Sequence, residues 1–307
     1  MGARIAAARA LTSHGLRKPT ARRLADAAAQ SCLADAGVAP GHVDMLINAG
    51  VYREDNMGEP ALAALVQEDI GANPGQPPTQ GHGTFSFDLI NGACGVISAI
   101  QLEAGLLRSG VIRLGAIVTS DVDPNLADPR AAPFRPAGGA MLLRWDDTIA
   151  GFTDFGTETF PEYQDLFVSG LAWQQRHGPG IPRRGTGQSQ MVIDQKPGYQ
   201  ARLVDCAEEV TYRFLRRLGM GIGEIDLLVP APSAPGFLDP LRERLGVPGD
   251  RVAYVAEDLA EAYTTGTIAA LQAAIRSGRL GEARNTLLLA AGAGITVTVA
   301  LYRQALP

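Results

Sequence analysis

The residue in this chain best placed to do covalent chemistry is a cysteine. The segment Phe85-Ser-Phe-Asp-Leu-Ile-Asn-Gly-Ala-Cys94-Gly reads as a strand, Thr84 to Ile90, running into small residues. A helical pattern follows from Val96 to Leu107. Cys94 therefore stands at or beside a helix N-terminus, where the first backbone N–H groups lack intrahelical partners. The partial positive charge there favours thiolate over thiol. Gly92, Ala93 and Gly95 leave room for a second molecule to approach the sulfur. The competing reading is a small buried cysteine with a packing role. If Cys94 is the nucleophile, it is expected to be the most reactive of the three cysteines, with Cys32 and Cys206 structural.

Other reactive side chains are sparse. The four histidines are His14, His42, His82 and His177. The first two lie in segments that read as surface turns, His82 in a Gly-His-Gly turn, and His177 in a variable stretch. Asp121-Val-Asp123 hints at a metal ligand pair, but no further ligand cluster joins it, so no metal is expected. The glycine-rich runs at 136–139 and 292–294 have neither a phosphate-loop pattern nor a lysine.

The elements that must position these groups occur twice. His42-Val-Asp-Met-Leu-Ile-Asn-Ala is echoed by Glu224-Ile-Asp-Leu-Leu-Val-Pro-Ala. Each follows a long amphipathic helix ending near a glycine, Thr20 to Ala36 and Gln200 to Leu218. Gly95-Val-Ile-Ser-Ala-Ile-Gln is echoed by Gly266-Thr-Ile-Ala-Ala-Leu-Gln, and each ends in an apolar strand, Leu114 to Ser120 and Thr286 to Gly292. Short apolar runs alternating with helices imply an α/β fold with largely parallel, doubly covered sheets. The Gly- and Ala-rich helices 95–107 and 266–275 suit close packing between layers. The segment from Glu158 to Lys196, with Trp173, His177 and Arg183-Arg184, breaks the repeat and reads as a loop or cap lining a site. The chain thus divides into halves at 1–157 and 197–307 with an insertion at 158–196.

Composition limits the partners. The net charge of −5 argues against a general nucleic-acid surface. The three cysteines have no metal-ligand or disulfide spacing, which fits a reducing cytoplasm. No apolar run reaches membrane-spanning length, and no signal-peptide core is evident.

The duplication, with a cysteine opening the helix of the first half, resembles the thiolase fold, and within it the ketoacyl-acyl-carrier-protein synthase III group. The resemblance runs from about Thr20 to Arg303. It is carried by Asp88-Leu-Ile-Asn-Gly-Ala-Cys94-Gly, Ala137-Gly-Gly-Ala before Met141-Leu-Leu, Asp226-Leu-Leu-Val-Pro, and Ala291-Gly-Ala-Gly-Ile-Thr with the strand Val297 to Tyr302. It implies a five-layer α-β-α-β-α body and a homodimer formed through the strand Thr84 to Ile90. It also implies acylation of Cys94 by an acyl thioester of coenzyme A or of the phosphopantetheine of an acyl carrier protein, with no other cofactor. Backbone N–H groups of Cys94 and Ala293, flanked by Gly292 and Gly294, would form the oxyanion hole. Ser233 and Thr264 would lie at the substrate, and Arg242 and Arg244 would face the acidic carrier protein.

Two positions depart from that pattern. Ala231 stands where the family has a histidine, and Tyr263 where it has an asparagine. Those two side chains polarise a malonyl thioester during decarboxylation, and neither alanine nor a phenol supplies two aligned N–H donors; Tyr263 can donate one hydrogen bond. Two functions remain open. One is an acyltransferase of fatty acid or polyketide biosynthesis in which Cys94 passes an acyl group to a small-molecule acceptor, with decarboxylative condensation impaired. The other is a non-catalytic ketosynthase-like structural or ligand-binding subunit.

Overall fold

In the first half, α1 (Ala21–Ala36) and α2 (Leu62–Ile70) accompany β1 (Gly2–Thr12), β2 (Met45–Asn48) and β3 (Phe85–Asp88). Helix α3 (Gly95–Arg108) follows, then β4 (Leu114–Asp121) and β5 (Ala137–Asp146). The second half contains β6 (Gly151–Thr159), a ribbon of β7 (Phe167–Gln175) and β8 (Gly187–Gln195), and α4 (Tyr199–Arg217). It closes with β9 (Leu227–Ala231), α5 (Pro235–Leu245), α6 (Gly266–Arg276), α7 (Arg279–Glu282), β10 (Asn285–Gly292) and β11 (Thr296–Arg303). These elements come from a computed structural model that describes residues 2–13, 19–73, 75, 83–124, 134–147, 150–175, 187–232 and 235–304.

Nine strands form one sheet in the order β3-β2-β4-β5-β1-β6-β11-β10-β9. The duplication is legible in its pairing. β2 and β4 run parallel, as do β9 and β10, while β4 and β5 run antiparallel, as do β10 and β11. The last strand of each set, β1 or β6, is antiparallel to its neighbour. The second copy therefore opens with β6 at Gly151, inside the stretch that the sequence assigned to the first half. The two copies meet at a seam where β1 and β6 share one residue pair, Ala3 with Phe152. A Cβ on Gly151 would lie 2.6 Å from the carbonyl carbon of Gly2, so glycine is what lets the chains cross there.

Alternation along the strands builds the layers. On β4, Leu114, Ala116 and Val118 pack outward with Leu24 and Ala28 of α1, while Ile117 faces inward. On β10, Leu287, Leu289 and Ala291 pack with Leu203 and Phe214 of α4, and Leu288 and Ala290 face inward. Helices α3 and α6 fill the middle and contact strands of both copies. The result is the expected α-β-α-β-α stack, with one cysteine in each of its three apolar clusters. Thr20 caps α1 by accepting from the Arg23 N–H at 3.2 Å, and Gly37 ends it in the left-handed conformation. Strand β1, which sequence periodicity did not single out, lies mid-sheet. The segment read as a loop or cap contains the antiparallel ribbon β7–β8. Among the described residues, no helix is long and apolar enough to cross a membrane.

One buried group works against this core. Glu103 on α3 is fully buried, and both carboxyl oxygens lack a partner. Its tip fills the space over Gly115, where a Cβ would lie 2.2 Å from it. Burial pushes its carboxyl well above the usual carboxylate range, so it is held protonated. A raised folded-state pKa gives stability that is complete below the unfolded value of about 4.3 and is lost as pH rises through the folded value. Glu103→Gln is therefore expected to raise the melting temperature more at pH 8 than at pH 5, by about 2–5 °C. Thermal denaturation at the two pH values checks this, and a pH-independent difference contradicts it.

Candidate active site

Two matching turns face each other at the heart of the stack. Gly92–Cys94 and Tyr263–Thr265 are both 3-10 turns, and each feeds a central helix that begins with glycine, Gly95 or Gly266. Each opens on a residue with positive φ, +51° at Gly92 and +30° at Tyr263. The copies thus pair Gly92 with Tyr263, Ala93 with Thr264, and Cys94 with Thr265. The third residue of each turn points into the core: Thr265 bonds Thr119 at 2.9 Å, and Cys94 is 1% exposed.

This geometry decides the cysteine's state. Cys94 Sγ donates to the carbonyl of Thr296 at 3.3 Å and lies 3.6 Å from that of Ala290. Ala93, not Cys94, contributes to the wall of the adjacent cavity. Burial pushes the Cys94 thiol up to about 11, as it pushes Cys206 to about 11 and Cys32 to about 12. Burial therefore acts against the thiolate that the helix terminus favours. The repeat carried the signal. Gly95 echoes Gly266, which puts Cys94 opposite Thr265 rather than opposite Tyr263.

The cavity measures about 370 Å³. Its floor is the backbone at Ala93, Gly292 and Ala293. A Cβ on Gly292 would stand 3.5 Å from the Ala93 nitrogen and 4.0 Å from Cys94 Sγ, so the floor is one residue thick. One side is aromatic. The Tyr52 and Phe134 rings stack at 4.9 Å, and Tyr263 lies 5.3 Å from Tyr52 and 5.6 Å from Phe134. Burial pushes the Tyr52 and Tyr263 phenols above the usual phenol range. Tyr263 Oη comes within 3.1 Å of the point where a Cβ on Gly92 would sit. Tyr199 and Leu203 of α4, Phe237 of α5, and Phe167 and Ile193 of the ribbon also line the cavity.

Asp121, at the end of β4, positions the aromatic side. One carboxylate oxygen accepts from the Val51 and Tyr52 N–H groups at 3.1 and 2.9 Å. The other accepts from the Thr264 N–H at 3.2 Å and from the Thr264 hydroxyl. Burial raises the carboxyl's pKa above the usual carboxylate range, and these four hydrogen bonds limit the rise. The sequence offered Asp121 only as a weak metal hint. Among the described residues, no cluster of His, Cys, Asp and Glu could hold a metal ion.

The other sequence-derived residues scatter. Gly292 and Ala293 reach the cavity, and Gly294 is left-handed at φ +73° in the same turn. Thr264 is buried, donates its hydroxyl to Asp121 and is not among the residues that line the cavity. Ala231 is buried on β9, and the neighbouring Pro232 meets the cavity instead. Glu261 reaches the cavity rim as a half-exposed partner of Arg135. Arg244 is paired with Asp205 at 2.9 Å and Glu208 at 3.0 Å, which removes it from a freely presented basic face, while Arg242 lies 3.8 Å from Glu243. Ser233, His14, His82, His177, Arg183 and Arg184 lie outside the described residues. The edge strand β3 exposes Phe85, with Ile90 exposed beyond it, while Asp88 caps α2 through the Leu62 and Ala63 N–H groups at 2.8 Å.

The chain is similar to known proteins in sequence and in fold. The family model described as 3-oxoacyl-[acyl-carrier-protein (ACP)] synthase III C terminal matches residues 215–304. Among curated proteins, the chain is similar to β-ketoacyl-[acyl-carrier-protein] synthase III of Koribacter versatilis, 28% identical over 92% of this chain and 83% of that one. The enzyme of the same name from Symbiobacterium thermophilum is 26% identical over 87% and 78%. Among solved structures, FabH of Pseudomonas aeruginosa superposes with a TM-score of 0.77 at 20% identity, covering all of both chains. OleA of Xanthomonas campestris, solved with bound lauric acid and lauroyl-CoA, gives 0.76 at 16% identity over 99% of each. The structural likeness establishes the thiolase fold, and the sequence matches show similarity to ketoacyl-acyl-carrier-protein synthase III.

Asp121→Asn tests the positioning carboxylate. An amide must turn its own NH2 toward one of the two donor pairs that the carboxylate satisfies. The substitution is expected to cost about 2–4 kcal/mol of stability. Chemical denaturation measures it, and an unchanged midpoint and slope contradict the assigned role.

Proposed function

We propose that this chain holds the acyl group of an acyl thioester in the cavity above Ala93 and Gly292 without carrying out decarboxylative condensation. The carrying observation is the direction of the Cys94 thiol, which bonds the Thr296 carbonyl beneath the floor instead of entering the cavity. Among the described residues, the wall offers no thiol and no imidazole; its polar side chains are tyrosines, glutamines and the ion-paired Glu261. Ala231 and Tyr263 add no pair of amide or imidazole donors that would stabilise an enolate, and losing even one such donor costs on the order of 10²–10³ in rate. What remains is a largely apolar, closely walled site with backbone at its floor, suited to binding. The relatives named as acyl-carrier-protein synthases, and the OleA complex with lauroyl-CoA, support a thioester as the ligand class. In this reading the protein is a ketosynthase-like subunit of fatty acid or polyketide biosynthesis in the cytoplasm. It draws its ligand from an acyl carrier protein or coenzyme A and pairs with a second copy through β3.

A second reading has one observation in its favour. Cys94 Sγ lies only 4.0 Å from the Cβ point of Gly292, immediately below the floor. A turn of the side chain into the cavity would let the sulfur lose its proton and form an acyl–S bond as the donor thiol departs. Ala293 N–H would then stabilise the oxyanion, and Cys94 would be an acyltransferase nucleophile.

Intact-protein mass spectrometry with acetyl-, hexanoyl- and malonyl-pantetheine separates the two. The binding reading expects no covalent adduct and no carbon dioxide release. It also expects thermal stabilisation by the thioesters, worth about 2.7 kcal/mol at a hundredfold excess over Kd. An acyl adduct abolished by Cys94→Ala establishes the transferase instead, and robust decarboxylation overturns both accounts of the altered site.

A further inference from the structure

We infer that the acyl group this cavity accepts is a planar aromatic one; the inference rests on the acyl-thioester reading above. The cavity is lined by six aromatic side chains, Tyr52, Phe134, Phe167, Tyr199, Phe237 and Tyr263. Tyr52, Phe134 and Tyr263 pack as a cluster, with planes within 9° for Tyr52 and Phe134 and 25° for Phe134 and Tyr263. Phe167 and Tyr199 make a tilted pair at 5.3 Å. A flat ring entering this cavity has aromatic side chains to stack against.

The walls are also fixed before any ligand arrives. Asp121 ties the backbone of Tyr52 to the turn that carries Tyr263, and the two rings pack at 5.3 Å. Gly92 and Ala93 keep the floor low beneath Tyr263 Oη, so a ligand carbonyl can lie at the backbone while its ring stands beside the aromatic side chains. A linear alkyl chain gains only the area term here and loses several rotors on binding. An aryl group gains the stacking term as well and has few rotors to lose. An offset-stacked pair is worth roughly 2- to 12-fold in affinity beyond its buried area.

Isothermal titration of the full chain with benzoyl-pantetheine, cyclohexanecarbonyl-pantetheine and hexanoyl-pantetheine tests this with one scaffold and three acyl groups. The benzoyl compound is expected to bind about 3- to 10-fold more tightly than either of the others, and Phe134→Leu is expected to narrow that gap. The wild-type comparison stands without the variant. Equal affinity for benzoyl and cyclohexanecarbonyl compounds, or tighter binding of hexanoyl, overturns the aromatic class while leaving the acyl-thioester reading in place. Absence of binding by all three overturns both.

Discussion

The buried carboxylate of Asp121 is the constraint on which the site depends. It ends the central strand β4 and accepts hydrogen bonds from the loop after β2 and from the turn before α6. Those two segments come from opposite copies of the duplicated fold and would otherwise meet only through ring packing. A charge in that position is costly unless every lone pair finds a donor, and here both oxygens do. The same two-copy geometry sets the direction of every side chain in the paired turns. The first residue takes a left-handed conformation, the second lies beside the cavity or on Asp121, and the third is buried in the core. Cys94 is a third residue, and its thiol is buried against the Thr296 carbonyl.

The fold was largely legible because apolar periodicity and caps act locally. Thr20 and Gly37 bound α1 at both ends, and the echoes of residues 42–49 at 224–231 and of Gly95 at Gly266 gave the duplication. Strand β1 was missed because its alanines, interrupted by Arg4 and Arg9, make a weak strand signal, yet it pairs with β5 from Gly2 to Thr12. The ribbon β7–β8 was missed for a similar reason. Its glycines and glutamines read as loop, while its pairing and its side chains against the cavity are long-range facts.

The site was only partly legible. A cysteine between small residues before a helix suggests a nucleophile, but its exposure depends on a register of one residue within a three-residue turn. Local sequence does not set that register; packing against β10 and β11 does, through the Ala290 and Thr296 carbonyls. The aromatic wall joins residues 52, 134, 199 and 263, a convergence that sequence spacing cannot show. Arg244 looked available because nothing local to α5 reveals the carboxylates of Asp205 and Glu208 on α4.

The central claim is that the cavity binds an acyl group while Cys94 stays beneath its floor. A crystal structure of the protein grown with a hydrolysable acyl-pantetheine thioester tests it most directly. The account expects an intact thioester with its carbonyl at the Ala93 and Ala293 backbone and Cys94 Sγ still directed at the Thr296 carbonyl. Continuous density from Cys94 Sγ to an acyl carbon, with the sulfur turned into the cavity, would contradict it.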